Sequence, residues 1–224
     1  MNTEEDHSAG EGQSAGESAE ERQAPADNQF DLSEIPGIAI KVITDPVGFY
    51  QEMPKSGGLI DPLVFMVALS VVAGVLTAVL SMIGLGMAGV MTGGLIAIIM
   101  VPIFVVIFGF ISAAIGYVIW KIMGSQEDFE TAFRCVAYTA AIAPVTAVLN
   151  SIPYLGSLVS ALWPMALLAI ASIHVHRRSV QASWVVFGVI GAIFALASIS
   201  GERASRQLAN EFGDLQEMLE ERRR

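Results

Sequence analysis

The sequence predicts an all-α membrane protein: a five-transmembrane-helix bundle with a disordered acidic N-terminal tail and a short amphipathic C-terminal helix. Three observations carry that reading. From residue 62 to residue 120, 59 consecutive residues include no Asp, Glu, Lys, Arg or His; two more charge-free runs cover 135–173 and 179–201; and the acidic residues crowd the N-terminal end. At a membrane-helix centre Leu, Ile, Phe and Val each favour insertion by roughly 0.3–0.6 kcal/mol, whereas one Asp, Lys or Arg costs about 2.5–3.5 kcal/mol. Absence of charge therefore outweighs any other compositional signal. The 54% hydrophobic fraction with only 15% charged residues fits one membrane domain with tails better than a soluble globule.

The tail comes first. Residues 1–30 carry eight acidic residues against Arg22 alone, so much of the net charge of −10 belongs to this segment. Such charge argues against nucleic acid as a partner. Rich in Ser, Gly, Ala and Glu, the segment buries too little apolar surface to offset its ordering entropy, and disorder is expected over 1–42. It reads as a solvated spacer, with docking of a protein partner as the alternative. A basic segment followed by a short apolar core is missing there, so the first crossing is expected to act as its own insertion signal. Cys135 is the only cysteine, which excludes an intrachain disulfide.

A helix of 59 residues would reach roughly 88 Å against a hydrocarbon core of about 30 Å, so the long run must fold back on itself. Gly84, Gly86, Gly89, Gly93 and Gly94 mark the break, which places helices at about 62–83 and 94–123. Pro102 predicts a bend or tilt in the second. The run 135–173 holds two thin crossings, about 129–150 and 154–175, with the turn at Asn150-Ser-Ile-Pro-Tyr-Leu-Gly156. Arg134, in the first turn of the third helix, is expected to reach back to the headgroups. A fifth helix covers about 180–200, with Trp184 as an interfacial anchor.

Five crossings put the two ends of the domain on opposite sides, and basic residues choose the orientation. One side collects Lys41, Lys55, Lys121, Arg134, Arg177 and Arg178, the other only Arg203 and Arg206 near the fifth helix. The N-terminus is thus expected in the cytoplasm and the C-terminus opposite, in the cytoplasmic (inner) membrane of a prokaryote.

Residues 43–61 lead into the bundle. Pro46 starts a short helix there, a candidate interfacial helix carrying Pro46, Phe49 and Tyr50, with Val47 also facing the interface. Together, Pro46-Val-Gly-Phe-Tyr50, the Pro62-Leu63 helix start, the polar link Gly124-Ser-Gln-Glu-Asp-Phe-Glu130 and Ala137-Tyr-Thr-Ala-Ala-Ile-Ala-Pro144 resemble the Yip domain family. The last is one residue longer than the family spacing. The likeness covers about residues 43–200 and is nearest to short prokaryotic members. It implies a five-helix membrane domain at 62–200 with a cytoplasmic tail. In eukaryotes the family is associated with prenylated Rab-type GTPases and vesicle traffic, a partner not carried over to this chain.

Candidate sites are few. Gly109, Ser112, Ala113 and Gly116 form a small-residue stripe, read as intrabundle packing with a homo-oligomer face as the sharper alternative; Gly89-x-x-x-Gly93 reads as turn glycines. Tyr138 and Pro144 are packing or cavity residues of the third helix. Asn150 reads as the cap of that helix at the interface, with a hydrogen bond across helices as the alternative. His174 and His176 tempt a metal assignment, but two residues apart on a helix point roughly 200° from each other. They read as interfacial polar residues beside Arg177 and Arg178, candidates for lipid-headgroup contact. Leu208, Phe212, Leu215 and Leu219 stripe the segment 201–224, which lies on the membrane, pairs with a second copy or stays solvated.

No catalytic residue, cofactor or metal is expected, because the apolar runs lack the acids, bases and ligands such chemistry needs. The sequence therefore points to a non-enzymatic integral membrane scaffold or adaptor in membrane organisation or trafficking-like processes. The alternative is a small-solute transporter or permeation pathway, suggested by the glycine-rich break and by Pro102, Pro144 and Pro164 inside helices. Absence of intramembrane charge weighs against it.

Overall fold

A computed structural model describes residues 31–83 and 93–223. The glycine turn expected at Gly84, Gly86 and Gly89 lies outside the described residues, as does the segment 1–30.

Helix formation starts earlier than the composition suggests. After a 3-10 turn at Leu32–Glu34, helix α1 covers Ile35–Thr44, so the disorder expected through residue 42 does not extend into residues 31–42. Pro36 supplies the reason: in the first turn it has no amide to leave unpaired, and its fixed φ suits a helix start. Ile35, Ala39 and Val42 then fall on one face and are buried. Asp45 accepts the Gly48 amide at 2.9 Å and caps the second short helix, α2, Pro46–Glu52.

Among the described residues, five helical stretches are long and apolar enough to cross a membrane. The first is α3, Ile60–Met82, and the second α4, Gly93–Ile122. They pack along their length. On α3 the buried residues Phe65, Met66, Leu69, Ser70, Ala73 and Ala78 repeat at helical spacing, and on α4 Gly109, Ala113, Gly116 and Trp120 are buried. Met66 lies where a Cβ on Gly109 would stand, its Sδ 2.8 Å from that point, so the glycine lets α3 come close. Ser112, expected in the same stripe, is exposed.

The third crossing is broken. Helix α5 covers Phe129–Tyr138, a 3-10 segment Thr139–Ile142 follows, and α6 resumes at Ala143–Leu149. Pro144 sits in the first turn of α6 and cannot donate to the turn before it, so the change of helix type falls where the missing amide requires it. This crossing packs against α3, α4 and α7 and is the most enclosed of the five. Its wall toward the fourth crossing, α7 at Leu155–His174, is closed by a turn with Tyr154 at φ +61°.

Helix α8, Val180–Glu221, packs on α7 at the edge of the bundle. Ser183 donates to or accepts from Ser172 across this contact at 2.9 Å. The amphipathic segment expected after residue 200 is helical but is not a separate element: α8 passes through Gly201 without interruption. Glu202 explains the continuity. Its carboxylate accepts the Tyr154 amide at 3.0 and 3.1 Å, the Ser157 hydroxyl and the Arg206 guanidinium at 2.8 Å, so the helix is held to the α6–α7 turn where it leaves the charge-free run.

Large apolar side chains point outward along the crossings. Ile103, Phe104, Ile107, Phe108, Ile111 and Ile115 of α4 and Val185, Val189, Ile193, Phe194 and Leu196 of α8 are exposed. Patches of that extent are foreign to a water-soluble surface and are what lipid chains solvate. The chain is an integral membrane protein.

Gly156 is buried where α7 begins, and a Cβ there would lie 2.3 Å from the Asn150 Cα and 2.6 Å from its amide nitrogen. Backbone cannot swing aside as the Met66 side chain can. Gly156→Ala is expected to destabilise the purified protein by about 2–3 kcal/mol in thermal or denaturant unfolding. Gly188→Ala, with open space around it, is expected to stay within about 0.5 kcal/mol of the parent or to gain stability from better helix propensity.

Candidate functional site: a polar cap on one face of the bundle

The polar side chains gather at the end of the bundle where α2 leads in, α4 ends, α5 begins and α7 ends. Each arrives for a local reason. After α4, Gly124 takes φ +88° and turns the chain, and Arg178 caps the helix by donating to the Met123 carbonyl at 2.9 Å. Asp128 caps α5 by accepting the Thr131 amide at 2.8 Å, and that bond holds its carboxyl below the usual range. Gly57 and Gly58 adopt φ +121° and +87°, a region closed to most side chains, and so lay the 53–59 loop over Arg134.

The loop changes the fate of Arg134. The expected reach toward headgroups does not occur: Arg134 is 2% exposed, donates to the Gly58 carbonyl at 2.7 Å and pairs with Glu130 at 3.4 Å. Glu130 in turn accepts the Gly58 amide at 2.7 Å. Next to this pair, Lys55 donates to Glu127 at 2.6 Å and to the Val175 carbonyl at 3.1 Å, while the Thr131 hydroxyl donates to the Lys55 carbonyl at 3.0 Å. Loop, α5 and the end of α7 are thereby joined.

The lead-in helix is likewise part of the bundle. Phe49 and Tyr50, expected in the lipid interface, are buried in protein, because the face they share meets the third crossing rather than lipid. Phe49 packs edge-on to Tyr138 with centroids 4.9 Å apart, Tyr138 packs on Phe65 at 5.0 Å, and the Tyr50 hydroxyl donates to the Cys135 carbonyl at 3.2 Å. Pro46 is half-buried at the start of α2, and Val47 alone of that group faces outward. Tyr138 is thus the centre of an aromatic cluster. Pro144 stands apart from it, at the start of α6.

His176 lies at the centre of the cap. α7 ends at His174, which meets Gln51 at 3.2 Å, and the following residues leave the helix, with Arg177 at φ +53°. His176 is 2% exposed. Its Nδ1 meets the Ser125 hydroxyl at 2.8 Å, its ring stacks on Trp120 at 3.9 Å, and its Nε2 lies 3.8 Å from the Cys135 thiol. Burial, together with Lys55, Arg178 and Lys121 nearby, pulls its pKa down from 6.5 to about 3, so the imidazole is neutral. Of the two expected headgroup residues, Arg178 is engaged in capping α4, and Arg177 is exposed.

A thiol, an imidazole and a hydroxyl in series are parts of nucleophilic catalysis, yet Cys135 is wholly buried and Trp120 covers the imidazole face. This arrangement fastens α4 and α5 to the chain after α7. Among the described residues, no group of three or more His, Cys, Asp or Glu is placed to hold a metal ion. Gly109 belongs to the contact with α3 below, whereas Gly116 makes room for the Trp120 ring of its own helix, which a Cβ there would meet at 3.2 Å.

The sequence reading missed Lys55, Glu127, Ser125 and the buried state of His176. The polar link 124–130 points to Ser125 and Glu127 alone; Lys55 and the burial of His176 have no local signal.

A neutral buried histidine makes the fold acid-sensitive. In the unfolded chain His176 takes up a proton below about pH 6.5 and in the folded chain only below about 3, so its contribution to stability falls as pH drops through that window. Melting temperatures measured from pH 7.5 to 4 are expected to decline more steeply for the parent than for His176→Asn, which keeps a hydrogen-bonding group opposite Ser125 but has no proton to gain. Equal slopes would contradict this account.

A family model described as the Yip1 domain matches residues 40–200. No curated protein and no solved structure matches the chain.

Proposed function

The chain belongs to the Yip1 domain family, and from that premise we propose that it is a non-enzymatic integral membrane scaffold or adaptor that presents its cap to other proteins. The observation that carries this reading is the docking of the lead-in helices. Phe49, Tyr50, the Lys55–Glu127 pair and the bonds of Gly58 to Arg134 and Glu130 tie the 35–59 segment to the bundle. Whatever precedes it is thereby offered from a fixed platform. A rigid presenting surface lowers the ordering cost that binding a partner would otherwise incur.

The membrane assigned is the cytoplasmic (inner) membrane of a prokaryote, with the cap and N-terminus in the cytoplasm and the C-terminal end opposite. Lys41, Lys55, Lys121, Arg134, Arg177 and Arg178 support that orientation, being gathered at the cap. Lipids are partners by necessity, and a protein partner reached through the N-terminal tail is the specific claim. A second reading, small-solute permeation, has the 3-10 break at Thr139–Ile142 in its favour, since interrupted helices can build midplane sites.

Photo-crosslinking in native membranes separates the two. Probes at Val47 and Glu52, both exposed at the cap, are expected to capture a reproducible protein partner that is lost on deleting residues 1–30. Crosslinks to lipid alone, combined with solute flux in proteoliposomes that exceeds empty vesicles and disappears in a stably folded Pro144→Ala variant, would replace the adaptor by the permeation pathway. Orientation is tested separately: a Glu52→Cys thiol is expected to react only with reagents that reach the cytoplasm.

A further inference from the structure

Helix α8 is far longer than a crossing requires. Its 42 residues extend about 63 Å, against about 30 Å of hydrocarbon, so roughly half of it stands beyond the bilayer face opposite the cap. On that half Leu208, Phe212, Leu215 and Leu219 are 54%, 64%, 50% and 62% exposed. They have no partner within the described residues. Outside lipid, a row of exposed leucine and phenylalanine is costly and calls for an occupant.

We infer that the occupant is the same stripe of a second copy, and that α8 closes a parallel two-stranded coiled coil outside the membrane. The first argument is register. Leu208, Phe212, Leu215 and Leu219 alternate by four, three and four residues, which places them at the seam positions of a heptad. Carried back toward the membrane, the same register meets Ser205, Gly201 and Ser198, small residues that let two helices converge where they leave the bilayer. Gly201 is exposed, with open space where a side chain would stand.

Charge supplies the second argument. From residue 203 to 221 every Asp, Glu and Arg except Glu211 falls at heptad positions remote from the seam and its flanks. Two copies therefore meet without like charges opposed.

Topology supplies the third. Copies inserted the same way in one membrane can pair these segments only in parallel, and α8 lies at the bundle edge, against α7. The stripe is roughly a third of a turn from the side that faces α7, so pairing leaves the bundle contact intact. Two heptads are marginal alone, but here the helix is already propagated from the membrane, and confinement to one bilayer raises the effective concentration of the partner.

A membrane surface fits less well. α8 continues without a break from its crossing, held by Glu202, whereas a position on the membrane surface needs a bend where the helix leaves the bilayer. The inference rests on α8 alone and stands apart from the adaptor reading.

The test is disulfide formation in membranes by single-cysteine probes on the full chain. Cys135, wholly buried, is left in place, and the parent serves as the blank. Leu208→Cys and Leu215→Cys are expected to give a crosslinked dimer under mild oxidation, while Asn210→Cys, exposed on the far side, stays monomeric. Adding Phe212→Asp to Leu215→Cys is expected to abolish the dimer with the bundle's melting temperature unchanged. Absence of dimer at 208 and 215, or equal dimer at 210, overturns the proposal. So does a fluorophore at residue 215 that is quenched by lipid-borne quencher in vesicles holding one copy each, since that outcome lays the helix on the membrane.

Discussion

His176 stacked on Trp120 and hydrogen-bonded to Ser125 joins four parts of the chain that lipid alone would not hold in register. The hydrophobic effect inserts each apolar helix but gives none of them a preference for its neighbours, because a lipid tail is as apolar as a leucine. Arrangement must come from close packing and from polar groups with one satisfactory solution. In this bundle the first is Met66 over Gly109 and the second is the cap. Trp120 also touches Phe187 of α8, so the same stack that orders α4 and α5 reaches the fifth crossing.

The two membrane faces are secured differently. At the cap, many loops share a network in which Lys55, Arg134 and Arg178 each bond to a backbone carbonyl. Opposite it, a single carboxylate, Glu202, gathers the Tyr154 amide, Ser157 and Arg206. The distribution follows from the chain's course. Three connections and the lead-in helices converge on the first face, whereas the second has one described turn and a helix passing through. Removing one partner from a buried charge leaves the other uncompensated, so the network resists piecemeal loss.

Much of this was legible in sequence, and the reasons are specific. The crossings followed from charge-free runs, because insertion depends on summed transfer energies that any window reveals. The third crossing was expected as one helix over about 129–150, with Pro144 a packing or cavity residue; the 3-10 break before Pro144 appears only in the structure. Helix α1 was missed although Pro36 and the spacing of Ile35, Ala39 and Val42 announce it; the acidic composition upstream masked a local signal. Phe49 and Tyr50 were assigned to lipid because aromatic residues suit an interface as well as a core, and only the position of Tyr138 decides between them. His176 was read as interfacial on helix geometry that ceases to apply once the helix ends at His174. Its partner Ser125 lies 51 residues away, and a pairwise contact at that separation leaves no trace in either segment alone.

Membership of the Yip1 domain family and the location of the cap bear on function through one asymmetry. Between its faces the described bundle offers aromatic and small-residue packing, while its ionised side chains lie at the two ends. A permeation path for a charged solute needs polar groups at depth, and those nearest to it, Arg134 and Glu130, neutralise each other beneath the 53–59 loop. A platform needs the opposite arrangement: an interior that does not change and surfaces that do. Exposed side chains outside the crossings lie in the segments leading into and out of the membrane, α1 and α2 on one side and the far half of α8 on the other. α1 and α2 are packed into the bundle through Ile35, Ala39, Val42, Phe49 and Tyr50, and α8 is held by Glu202 where it leaves the crossing, so the helices between them keep one arrangement.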